Sequence, residues 1–221
     1  MNAADALVAD QIRAVLTAAE AGDGTAPIVE AGDPVLRTDT RPFDGQVDDA
    51  ELEQLAEVMR ATMLAAPGVG LAAPQVGIAL SMFVAEDPGA RDPEVAKVRQ
   101  REPMPLRVVL NAGYERAGAD DVAFYEGCLS IPGYQAVVAR PRTIALTGTD
   151  LQGSPIAEEV SGWSARIVAH ETDHLSGILF LDKAEMRSLA TNGSVAKFWH
   201  QPSTQKAAAE LGFSLPSGLV M

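Results

Sequence analysis

The segment that most restricts what this chain can fold into is "WSARIVAHETDHLSG", residues 163–177. Its apolar residues recur at helical spacing, yet it also carries His170, Glu171, Asp173 and His174. So apolar a helix belongs in an interior, where an unpartnered histidine or glutamate costs about 1–3 kcal/mol or more. The rest of the chain therefore has to wrap this helix and supply partners to its polar side. Four residues of α-helix advance about 400° and about 6 Å, so His170 and His174 lie on one face, one turn apart. Both imidazoles can reach one ion. Glu171 lies about 100° round from that line, too far to be a natural third ligand but close enough to meet a water held on the ion.

The surroundings fit a wrapped helix. "SMFVAE", "LRVVLNAGYE", "YQAVVAR", "RTIALTGTD" and "SPIAEEVSG" read as short strands separated by turn chemistry, and "DDAELEQLAEVMRATMLAA" reads as an amphipathic helix with an acidic start. "PVLRTDTRPFD" reads as an extended lead-in, and "DPGARDPEVAKVRQREPMP" as a surface loop or insertion. Strands around one buried helix predict an α+β fold, with antiparallel or mixed sheets packed around a central helix that carries HExxH. With 221 residues, 47% of them hydrophobic, the chain can bury one substantial core. The expected division is an N-terminal helical extension (1–27), a main catalytic domain (28–185) and a C-terminal tail, partly helical or mobile (186–221).

A formal charge of −13 opposes non-specific binding to nucleic acid. No secretory leader and no long unbroken apolar run is read, so the expectation is a cytoplasmic protein without a membrane partner. The single cysteine, Cys128, excludes an internal disulfide and suits a reducing compartment. It sits in "EGCLS" between strand-like segments, where it could face the helix as a third ligand; a lone thiol can also be an inert buried hydrophobe. Two imidazoles and one thiolate would hold a divalent cation with a fourth position open to water, and Glu171 could take that water's proton. Asp173 would either orient a ligand or form an exposed salt bridge.

Three separated segments, "GVGLAAPQVG" (68–77), "EGCLS" (126–130) and "HETDHLSG" (170–177), resemble the signature motifs of the bacterial peptide deformylases in order and spacing. The resemblance runs from about Pro34 to Asp182 and leaves both ends of the chain outside it. It implies a peptide-deformylase-like fold and removal of the formyl group from N-formylmethionyl peptides, releasing formate. It further implies metal ligation by Cys128, His170 and His174, with one divalent ion per chain. Fe2+ is the expected native ion, and Zn2+ or Ni2+ could occupy the site in purified protein. Glu171 would be the base, while the Gln75 side chain and the Leu129 backbone N–H would hold the oxyanion. A peptide could lie as an added strand beside Gly70 and Gly127. Val69, Phe124, Tyr125, Trp163 and Ile167 are candidates for an apolar methionine pocket. Glu126 and Arg140 are implied as an ion pair bracing the cysteine loop, and transient proximity to the ribosome is expected without direct nucleic-acid binding. Two departures stand out: many relatives have a basic residue where this chain has Gln135, and proline where it has Ala112. The competing readings are a zincin-like metalloprotease, with His200 as the one spare imidazole, and a catalytically silent homologue that binds formyl peptides.

Overall fold

A computed structural model of the protein describes residues 3–216, so the outermost residues of the expected extension (1–2) and tail (217–221) lie outside it. The N-terminal helix forms as α1, Ala3–Ala21, and the acidic-start helix as α2, Asp49–Ala65. The start of α2 is fixed by a reciprocal cap: Asp48 accepts from the Glu51 backbone at 2.9 Å and the Glu51 carboxylate reaches back to the Asp48 N–H. Between α1 and α2, Pro34–Arg37 closes a 3-10 turn where an extended lead-in was predicted, because Asp33 caps it and proline stands at its first position.

Eight strands follow, β1 (Gly70–Ala72), β2 (Met82–Asp87), β3 (Met104–Arg116), β4 (Asp121–Cys128), β5 (Ile131–Pro141), β6 (Thr143–Thr149), β7 (Pro155–Ser161) and β8 (Ala184–Thr191). They form a five-stranded sheet, β1-β2-β3-β6-β7, and a three-stranded one, β4-β5-β8. Every pairing among the described strands is antiparallel, so the mixed alternative is corrected. Tight turns impose this for β4–β5, joined through 129–130, and β6–β7, joined through 150–154, since a parallel pair needs a crossover of a dozen residues or so; β2–β3, β3–β6 and β5–β8 are antiparallel across longer segments.

Alternation along β2 assigns the two faces of the larger sheet. Met82 and Val84 join Val8, Ile12, Leu55 and Met59 in the cluster beneath α1 and α2, while Phe83 and Ala85 point the other way. There they meet the helix Gly162–Leu175. The insertion before it, expected as a surface loop, holds a short helix of its own, α3 (Pro93–Arg99), capped by Asp92; Gly162–Leu175 is therefore α4. Ala165, Val168 and Ala169 of α4 pack on Phe83, Val109, Ile144 and Leu146. The opposite side of α4 carries Arg166, His170, Asp173 and His174, spaced to stack on one face, and the smaller sheet lies against it. The helix is thus enclosed between two sheets, as its sequence requires.

Behind the smaller sheet lies the tail. β8 runs across the boundary expected at residue 186, and α5 (Asn192–Phe198) and α6 (Gln205–Leu211) follow. Val195, Trp199, Ala207 and Leu211 pack with Ala123, Tyr125 and Val137, and Thr204 Oγ1 donates to the Ala123 carbonyl at 2.8 Å. Among the described residues no helix is long and apolar enough to cross a membrane.

Candidate metal centre and active site

β4 ends at Cys128, and its register against β5 shifts between Gly127 and Cys128, which delivers the thiol to the polar side of α4. Cys128 Sγ lies 3.3 Å from His174 Nε2, and the donor atoms of Cys128, His170 and His174 all fall within 4.8 Å of one another. One thiol and two imidazoles converging on so small a volume are a donor set for a divalent transition metal. His170 is aimed there because its Nδ1 is 3.1 Å from Glu126 Oε2, leaving Nε2 for the shared point. His174 is deeper, and its Nδ1 is buried without a partner among the described residues. Burial pushes both imidazoles toward the neutral form. In His174 it prevails, helped by the neighbouring His170, whereas in His170 the bonds to Cys128 and Glu126 outweigh it and raise the pKa. His200 is exposed and stands outside the cluster.

The ion pair expected between Glu126 and Arg140 is part of a larger buried chain. Glu126 accepts from Arg140 Nε at 2.6 Å and NH2 at 2.9 Å, and from Arg166 NH1 at 2.5 Å. Arg140 NH1 continues to Asp173 Oδ2 at 2.8 Å, and Asp173 also accepts from Lys183 Nζ at 2.6 Å and Tyr114 OH at 3.0 Å. Asp173 is therefore a buried brace, not an exposed salt-bridge partner. Burial alone would raise the Glu126 pKa, but the two guanidinium groups hold it well below the usual carboxylate range. Burial in turn lowers Arg166 to about 10. Sequence reasoning missed Arg166; its place four residues before His170, one turn back on the same helix face, was the available signal.

Glu171 is packed against β1. A Cβ at position 70 would sit 2.2 Å from Glu171 Oε1, so Gly70 is needed here for the close approach of a side chain as well as for access to backbone. Glu171 Oε2 is buried without a partner among the described residues, and burial pushes the carboxyl up to about 7, a range in which it can both take and give a proton. Gln75 is fixed by its Oε1, which accepts from the Ala72 N–H at 2.8 Å; its Nε2 then faces Cys128 Sγ at 3.4 Å and Ser130 Oγ at 3.3 Å.

These groups open on a cleft of about 620 Å3. Gly70, Gln75, Gly127, Cys128, Leu129, His170 and Glu171 line it, as do Val69, Trp163 and Ile167 from the predicted methionine pocket. The other two members of that pocket are placed differently. Phe124 is not among the lining residues; its ring lies 5.8 Å behind Trp163, which it supports. Tyr125 borders the cleft, but its side chain belongs to the cluster under α6. Neighbours on a strand point to opposite faces, so the two could not share one wall. Arg99 and Arg101 of the insertion also border the cleft, which no local pattern in the sequence announces.

The sequence model of the family described as Polypeptide deformylase matches residues 25–190. The chain is 54% identical over 209 residues to "Peptide deformylase 3" of Streptomyces avermitilis, covering 95% of this chain and 92% of that one. It is 37% identical over 166 residues to "Peptide deformylase, mitochondrial" of Homo sapiens, covering 73% and 68%. Among solved structures, a Met-Ala-Ser-bound class I type b peptide deformylase from Acinetobacter baumannii superposes with a TM-score of 0.65 at 33% identity, covering 72% of this chain and 98% of that one. The peptide deformylase of Thermus thermophilus gives 0.62 at 37% identity, covering 74% and 88%. Motif order, cleft and likeness over most of its length agree: the chain belongs to the polypeptide deformylase family.

Proposed function

We propose that this deformylase, a metal-dependent hydrolase that removes the formyl group from N-formylmethionyl peptides, works through six groups of its own in and beneath the cleft: Cys128, His170, His174, Glu171, Gln75 and the Leu129 N–H. The observation that carries the reading is the convergence of Cys128, His170 and His174 at 4.8 Å or less with the unpartnered carboxyl of Glu171 beside them. When bound there, a divalent cation supplies Lewis-acid polarisation and lowers the pKa of water. Glu171 takes the proton of the attacking water and returns it to the departing amine. The Gln75 amide and the Leu129 N–H donate to the oxygen on which negative charge develops. Gln75 suits this role because the Ala72 N–H already occupies its carbonyl, so the amide can only donate toward the site.

The peptide extends between two sheet edges. β1 and β4 each end their sheet's order and bring Gly70 and Gly127 to the cleft, so main-chain bonding could hold an extended substrate on either side. Val69, Trp163 and Ile167 form the apolar part that receives methionine. The resident ion is read as Fe2+, with Zn2+ or Ni2+ able to replace it, from the donor set and the family resemblance. We read the setting as cytoplasmic, near the ribosome and without a grip on its RNA, in keeping with the charge of −13.

Formate release from formyl-Met-Ala-Ser by protein prepared without oxygen, with metal analysis of the same sample, tests the reading. Gln75→Ala should lose about 10²- to 10³-fold in kcat while keeping its metal, and Glu171→Gln should bind metal and turn over almost nothing. Full turnover by Gln75→Ala would remove it from the site. Cleavage of a blocked internal peptide with no formate release would sink the assignment.

A further inference from the structure

Three arginines border the cleft, and two have a carboxylate partner where they stand. Arg166 is bound to Glu126 at 2.5 Å. Arg101 makes a two-pronged pair with Asp87, at 2.8 and 2.9 Å. Arg99 differs: its Nε and NH2 donate to the main-chain carbonyls of Pro202 (3.1 Å) and Gln201 (3.0 Å), and among the described residues no carboxylate pairs with it. Carbonyls orient a guanidinium but leave its charge whole.

That charge is held firmly. The Arg99 Cζ stands 5.3 Å from the Trp163 ring and 5.5 Å from the Phe124 ring, and Arg101 stacks on the same indole at 5.3 Å. Gln100, between the two arginines, takes a left-handed φ of 49° and accepts the Trp163 N–H at 3.1 Å, pinning the insertion to the start of α4. A Cβ at Gly162 would lie 2.6 Å from that same carbonyl oxygen, so the contact is built around a glycine. Burial and the adjacent Arg101 both pull the Arg99 pKa down, as befits a partly buried cation short of counter-charge.

We propose that Arg99 is an anion subsite of the cleft, which takes a carboxylate of the peptide downstream of its formylated methionine. The proposal rests on the deformylase reading of the same cleft. The field of the whole molecule argues the other way, because a chain of charge −13 repels acidic peptides at long range. A preference for acidic peptides would thus have a local origin.

The experiment is formate release by the full-length, metal-loaded enzyme from formyl-Met-Ala-X amides, with X as Glu, Gln or Lys, at low and high salt. A second arm compares formyl-Met-Ala-Ser as free acid and as amide, separating the terminal carboxylate from a side chain. At low salt kcat/KM should favour Glu over Lys, or free acid over amide, by about fivefold. High salt should shrink the gap. Arg99→Gln should abolish the preference and Arg99→Lys should keep part of it. Equal or lysine-favouring rates in the unmodified enzyme together with no free-acid advantage would overturn the proposal, as would a preference that survives Arg99→Gln. The first result needs no variant to fold. Formate release from these peptides without acidic preference leaves the deformylase reading standing; no formate from any of them ends both.

Discussion

The two long sides of α4 are equally buried and differently built. Toward the five-stranded sheet, Ala165, Val168 and Ala169 meet Phe83, Ile144 and Leu146 in a purely apolar contact. Toward the three-stranded sheet, Arg166, His170 and Asp173 meet Glu126 and Arg140 in a chain of charge-assisted bonds between 2.5 and 3.1 Å. Dispersion and water exclusion have no direction, so the first side contributes stability and tolerates small changes of shape. The second is directional. An ion chain that deep loses most of its Coulombic gain to its own desolvation and adds little net stability, but it fixes where His170 points. One side anchors the helix and the other aims it.

The two sides of α4 should separate most clearly at Arg140. Arg140→Met leaves Glu126 and Asp173 short of their shared counter-charge, and should cost about 3–5 kcal/mol in urea unfolding. Metal content should fall with it. If the variant instead kept both, the ionic side would not be what aims His170. On the apolar side, Ile144→Val should cost only about 0.5–1.5 kcal/mol, with metal content and turnover per folded molecule unchanged; a loss of metal would show that the two sides are not separable. Smallest of all, Arg13→Ala removes a pair with Glu51 that is exposed at the junction of α1 and α2, and the unfolding midpoint should not move measurably. A clear shift there would mean that surface charge matters as much as the interior chain.

Sequence carried some of this much further than the rest. The His170–Glu171–His174 arrangement was legible because helical spacing is local: the helix alone sets which residues share a face. Cys128 and Gln75 lie far off in the chain, and only the motif resemblance linked them to that helix. Arg166 obeyed the same spacing rule and was overlooked among apolar neighbours. Phe124 lies outside the cleft lining and Tyr125 borders it, a split that local sequence does not give: alternation says that strand neighbours part company, but not which neighbour faces which layer. The tail's two helices are short and weakly patterned, so their docking against Ala123 and Val137 is a tertiary outcome. Arg99 and Arg101 reach the cleft only because Gln100 clasps α4, a contact spanning more than sixty positions.

Because Cys128 is the one cysteine in the sequence, thiol-selective alkylating reagents have a single place to react, and that place is the proposed centre itself. Label stoichiometry therefore counts centres whose sulfur is disengaged, with no background from elsewhere in the chain. In any preparation, uptake of label and occupancy by the ion should be complementary fractions of the same population.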